Sequence, residues 1–181
     1  MPLNPEVLAV TYGVSSALSW GAGDFSGGFA AKRGGVLAVV LSSQILGGLL
    51  LLSMALLSGE ALAPMPSLCN GAAAGLAGAI GLMALYRGLA GGRMGIVAPM
   101  SAIVTAILPI VVAMLTEGLP GAWQLGGFAL ALVAVVLLSY EQSATGLRWS
   151  ELGLPLIAGI GFGLFFIFID AAAQTGFLLS L

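Results

Sequence analysis

Histidine is absent from this chain of 181 residues, which removes the commonest general base and metal ligand at neutral pH. Its single cysteine, Cys69, excludes an internal disulfide and any multi-cysteine zinc or iron–sulfur centre. Charge is scarce: five Lys plus Arg and seven Asp plus Glu make up 7% of the residues, against about a quarter in soluble domains. With a net charge of −2 there is no basic field to hold phosphates, so nucleic acid is not an expected partner. No cofactor or metal is expected. Without histidine, a cysteine pair or clustered carboxylates, the chain is not expected to be an enzyme. The opening Met1-Pro2-Leu3-Asn4-Pro5-Glu6 lacks the positive region of a signal peptide, so the first apolar run is expected to remain in the mature protein.

What fills the chain instead is apolar. Sixty per cent of residues are hydrophobic and the mean hydropathy is +1.14, values that belong to an integral membrane protein. A hydrocarbon core of about 30 Å takes roughly 20 apolar residues of helix. Runs of that length lie at 7–31, 36–58, 67–89, 94–116, 122–140 and from 152 onward. Short Gly- and Pro-bearing connectors separate them, such as Lys32-Arg33-Gly34-Gly35 and Glu117-Gly118-Leu119-Pro120-Gly121, so chain neighbours are expected to run antiparallel. A membrane barrel would show segments of about ten residues with strict alternation, and these runs are continuous. The expected fold class is all-α: a polytopic transmembrane bundle of about six spans in the bilayer of the cytoplasmic membrane.

Only twelve charges need placing. Glu6, Lys32, Arg33, Glu60, Arg93, Glu117, Glu141, Arg148 and Glu151 fall in the tail or connectors, and Arg87 ends the third span, where it can snorkel to headgroups. Asp24 and Asp170 alone lie inside apolar runs. Carboxylates at membrane depth are costly and usually face a cavity or partner, which makes these two the first candidates for a solute or proton pathway. They are 146 residues apart, and the same offset pairs Trp20 with Phe166, Leu18 with Leu164, Gly13 with Gly159 and Ala17 with Gly163. Five helices separate the two copies, and an odd number inverts the second, as in many secondary transporters. Coincidence between two apolar helices is the competing explanation.

On the first span Trp20, Asp24 and Gly28 recur every four residues and share a face that Gly13 and Ala17 continue. A cavity wall has this pattern, and a carboxyl in it can exchange a proton as water enters and leaves. Gly21, Gly23, Gly27 and Gly28 weaken the helix locally. Alternatively Asp24, some 12 Å before Lys32, reaches the headgroups or caps a broken helix. Pro99 and Pro109 in the fourth span each remove a backbone hydrogen bond and are expected to bend the helix along a cavity, with Ser101 and Thr105 satisfying the freed groups. Gly71, Gly75, Gly78 and Gly81 read as small-residue helix packing. Glu117 most simply complements the N-terminus of the fifth span. Tyr86, Trp123, Tyr140 and Trp149 read as interfacial anchors, and Cys69 as an inert thiol. The glycine run Gly159-Ile160-Gly161-Phe162-Gly163 follows no strand, so it is not read as a nucleotide loop.

Several of these residues together resemble a known family. Leu85-Tyr86-Arg87-Gly88-Leu89-Ala90, Gly95-Ile96-Val97-Ala98-Pro99, Leu108-Pro109, Glu117, Gln124-Leu125-Gly126-Gly127 and the opening Ser19-Trp20-Gly21-Ala22-Gly23-Asp24-Phe25 resemble the EamA domain of the drug/metabolite transporter superfamily. The resemblance implies a ten-helix transporter of two inverted five-helix repeats around a central cavity. On that pattern, residues 1–145 are the first repeat, and 146–181 begin a second that is cut short. The expected function is movement of a small metabolite or drug-like solute by alternating access, with proton coupling as an option. The rival is a non-transporting assembly subunit or an inactive half-transporter. If the chain is complete, an antiparallel homodimer is an expected partner beside the lipid bilayer and a small-molecule substrate. The positive-inside rule places the Lys- and Arg-bearing connectors in the cytoplasm and the N-terminus outside, whereas the resemblance implies the reverse.

Overall fold

A computed structural model of the chain describes residues 4–59, 63–91, 94–140 and 152–174. Glu60, Arg93, Glu141, Arg148, Trp149 and Glu151, and the side chains of Glu6 and Tyr140, lie outside the described residues. Six helices follow one another: α1 (Pro5–Gly34), α2 (Val36–Ser58), α3 (Met65–Ala90), α4 (Met94–Thr116), α5 (Ala122–Tyr140) and α6 (Gly153–Ala173). Continuous apolar runs become helices here because a helix satisfies every interior backbone group within itself, the only economy available where water is absent. The punctuation acts where it stands in sequence. Gly59 closes α2 in the left-handed region (φ 67°), a conformation that favours glycine, and Pro66 opens the first turn of α3. At the head of α5 the Gly121 N–H donates to the Gln124 side-chain oxygen (3.0 Å), as in a capping box.

Among the described residues α2, α3, α4 and α6 are long and apolar enough to cross a membrane, and the Ala122–Leu137 part of α5 is apolar but shorter. That is four to five span candidates, not six. The exception is α1: its 30 residues reach about 45 Å, but Ser15, Ser16, Ser19, Asp24 and Ser26 dilute its hydropathy. The polar groups on α1 are partly absorbed locally. Thr11, Ser15 and Ser19 donate to the carbonyls of Val7, Thr11 and Ser15 at 2.7–2.9 Å, so three hydroxyls spaced by one turn hold their hydrogens against their own helix. Outward-facing Leu, Val and Phe side chains coat the bundle, with Leu57 87% and Leu130 73% exposed. Apolar surface on that scale belongs in lipid, and the protein is a multi-pass membrane protein.

The bundle is organised around α3 and α6, its most extensive pair, with α4 against the other side of α6. Glycine sets these distances. A Cβ on Gly161 would lie 2.7 Å from Gly81 Cα and 2.8 Å from the Ala77 carbonyl oxygen of α3. On the opposite face of α6, one on Gly159 would overlap Val104 and approach the Ser101 carbonyl oxygen (2.8 Å), and one on Gly163 would press on Leu108. The run Gly159-x-Gly161-x-Gly163 therefore narrows α6 on both sides, letting it wedge between α3 and α4. Of the α3 glycines expected to pack, Gly78 meets Phe165 and Gly81 meets α6, whereas a Cβ on Gly75 would meet nothing within 4 Å. These contacts also give direction: α3 and α6 run antiparallel, α4 and α6 parallel. α1 and α2 pack on α3 and on each other, and among the described residues α5 packs only on α4.

Candidate functional site

One cavity of about 360 Å³ opens among α1, α2, α3 and α6, within the size range of small-molecule sites. Helix α1 supplies Ser19, Trp20, Gly23 and Asp24, two adjacent pairs one turn apart, so the wall is a stripe of the helix surface as the spacing predicts. Ser43 and Gln44 of α2 face it, with Gly75, Gly78, Leu82 and Tyr86 of α3 and Phe162 and Phe165 of α6. The absence of side chains at Gly75 and Gly78 is what leaves this space beside α3.

Three rings knit α1 to α6 across the cavity. Trp20 meets Phe162 and Phe165 edge to face, each with centroids 6.4 Å apart and planes inclined at 81° and 64°. Opposite them the Tyr86 hydroxyl, buried, donates to the Gly23 carbonyl of α1 at 3.4 Å. This approach depends on Gly27, where a Cβ would overlap the Tyr86 ring. α1 remains helical through Gly21, Gly23, Gly27 and Gly28, so the glycines serve close approach there rather than a break.

Asp24 is half-buried, and among the described residues its carboxylate has no hydrogen-bond or ion-pair partner. It stands ten residues before the end of α1, about 15 Å in from that end of the helix. Among the described residues no Lys or Arg lines the cavity. The nearest cations in sequence, Lys32 and Arg33, are exposed in the last turn, and Arg33 stacks its guanidinium over the Phe29 ring at 4.5 Å.

The other expected residues sit elsewhere. Asp170 and Phe166 line a separate cavity of about 590 Å³ between α4 and α6, together with Pro109, Thr116, Glu117 and Gln174. Asp170 is exposed in the last turn of α6 and accepts a hydrogen bond from Gln174 Nε2 (3.0 Å). Because α6 runs against α3, this cavity lies at the end of the bundle away from Asp24, and the two aspartates do not meet. Phe166 is nonetheless linked to the first cavity, its ring lying 5.3 Å from that of Phe165. Pro99 and Pro109 both lie inside α4, which continues through them. Pro99 is half-buried and lines neither cavity. The Ser101 hydroxyl donates to the Ala98 carbonyl (2.9 Å), whereas Thr105 reaches across to the Gly159 carbonyl of α6 (3.4 Å) instead of serving its own helix.

Tyr86 is not an interfacial anchor: it is buried and closes the cavity, and only its spacing from Gly78 and Leu82 hinted at a shared face of α3. The Gly13–Ala17 continuation of the α1 face is exposed and lines no part of the site. Ser43 and Gln44 carried no sequence signal beyond being polar in an otherwise apolar run. Trp123, 96% exposed, is placed as an anchor would be. No family model, curated protein or solved structure matches the chain.

Proposed function

We propose that this chain is a membrane transporter of the drug/metabolite superfamily kind, moving a small solute by alternating access, with the α1–α2–α3–α6 cavity as its solute site and Asp24 as the charged group in it. The observation that carries this reading is the cavity itself: a half-buried carboxylate without a partner among the described residues, set in an apolar bundle, shares about 360 Å³ with four neutral polar side chains and three interlocked rings. An assembly subunit has no use for such a space. Leaving a carboxylate unpaired there costs stability, and function is the usual reason such groups persist. The resemblance of residues 19–25 and 85–99 to the EamA domain supports the same reading, since both stretches contribute to the cavity or to the packing behind it.

Alternating access has a test that needs no knowledge of the solute. In a Cys69→Ser background, Ser43→Cys places a thiol on the cavity wall. A membrane-impermeant maleimide applied in turn to each face of oriented vesicles should label it from both sides. Labelling from one side only would overturn transport and leave the assembly subunit as the reading.

A further inference from the structure

We propose that the α1–α2–α3–α6 cavity is selective for protonated organic amines carrying an aromatic or other apolar body, and that Asp24 is their counter-charge. The inference deepens the transport reading and rests on the same cavity. It comes from counting which hydrogen-bonding groups remain available to a ligand.

A hydroxyl has one hydrogen to donate and two lone pairs to accept with. All three hydroxyls lining the cavity have already spent the hydrogen. Ser19 donates to the Ser15 carbonyl (2.9 Å), Ser43 to the Val40 carbonyl (2.9 Å) and Tyr86 to the Gly23 carbonyl (3.4 Å). What each offers the cavity is a lone pair. Asp24 adds an ionisable carboxyl whose ionised form only accepts, and among the described lining side chains only the Gln44 amide and the Trp20 indole carry N–H groups, both of them neutral. The apolar wall is made by Trp20, Phe162 and Phe165, which suit an aromatic or aliphatic body. Lone pairs and a carboxylate both attract positive charge.

The alternatives meet specific penalties. An anionic solute would lose its hydration in a cavity with no Lys or Arg among the described lining residues, beside Asp24, with only the neutral N–H groups of Gln44 and Trp20 to replace it. A zwitterion would satisfy Asp24 with its ammonium but strand its carboxylate in the same way. Neutral solutes avoid the repulsion but leave the charge of Asp24 uncompensated. An ammonium with N–H groups pairs with Asp24, donates to the waiting hydroxyl oxygens and lays its apolar body against the rings. The other titratable group facing Asp24 across the site, Tyr86, is a neutral phenol whose hydrogen points away to Gly23.

Three probes of one scaffold separate these cases: 2-phenylethylammonium, 3-phenylpropionate and 2-phenylethanol, which differ chiefly in charge. The full chain in lipid nanodiscs, with Trp123→Phe and Trp149→Phe so that Trp20 alone emits, reports binding by its fluorescence. At pH 7 the cation is expected to bind saturably and at least tenfold more tightly than either comparator. Asp24→Asn should lose that preference and Asp24→Glu should keep it, which separates loss of the charge from loss of the fold. Equal binding of 3-phenylpropionate or 2-phenylethanol, no saturable binding of the cation, or an undiminished preference in Asp24→Asn would each overturn the proposal. The transport reading fails independently. Selective binding of the cation with Ser43→Cys labelled from one face refutes transport and leaves the amine site standing. Two-sided labelling without cation preference refutes the amine site and leaves transport.

Discussion

Replacing Gly161 by alanine adds one methyl group at the tightest backbone crossing in the bundle. The three nearest atoms to that methyl all belong to the α3 backbone: Gly81 Cα at 2.7 Å, and the Ala77 carbonyl oxygen and Gly81 nitrogen at 2.8 Å. Apolar atoms prefer separations of about 3.5–4.0 Å, so α3 and α6 must part by roughly 1 Å, and a gap of that size forfeits about a quarter to a half of each van der Waals contact along the seam. No side chain can rotate away to relieve it. Overpacking of this kind costs about 1–3 kcal/mol, against which the better helix propensity of alanine returns about 1 kcal/mol. Gly48→Ala supplies the reference, since Gly48 lies in mid-helix in α2 and a Cβ there meets nothing within 4 Å. Both variants gain the propensity, and subtracting one from the other leaves the clash alone. Gly161→Ala is therefore expected to be less stable than Gly48→Ala by about 1–3 kcal/mol in an SDS titration of the protein in mixed micelles. Equal stability of the two variants would refute the reasoning that α6 is held to α3 by backbone proximity.

The same titration tests the closure of the cavity. Gly27→Ala, whose methyl overlaps the Tyr86 ring, should be less stable than Gly23→Ala, which meets open space, by about 1 kcal/mol or more; the reverse order would mean that Tyr86 has room to move. Asp170→Asn removes charge from an exposed hydrogen bond in the last turn of α6 and should change stability by no more than about 1 kcal/mol. A larger loss would show that Asp170 holds more than Gln174. Thr105→Val gives up a long bond to the Gly159 carbonyl, and a cost above about 1 kcal/mol would contradict the weak contribution expected of interhelical hydroxyl bonds in membranes.

The helices were legible because their signal is redundant: the α2, α4 and α5 runs, each of about twenty residues, are continuously apolar, and the helices begin and end where the runs do, with Gly35 and Gly59 flanking α2 and Gly121 preceding α5. Asp24 and Trp20 were legible for the opposite reason, as rare groups at helical spacing in an apolar field. Tyr86 was misread because the sequence shows only its distance from the end of α3. A tyrosine four residues from that end is an anchor if its face meets lipid and a cavity wall if it meets α1. The meaning of Gly159-x-Gly161-x-Gly163 was hidden in the same way, since a narrow helix matters only when something stands on each side of it. Nor does an offset of 146 residues between two aspartates contain the fact that they line different cavities. That depends on which helices α6 separates.

The wedge made by α6 has a consequence for how the protein is made. Gly161 follows Gly81, its partner across the seam, by 80 residues. At usual rates of synthesis the ribosome adds the second about 4–16 s after the first. By the end of that interval α3 and α4 have both been made without the helix that fits between them, and the rings of α6 that complete the cavity come last. Lipid must occupy the gap in the meantime and be expelled when α6 arrives. The two-sided row of glycines is thus also a docking guide for a late arrival: a helix without side chains on either flank can slide between neighbours already in place.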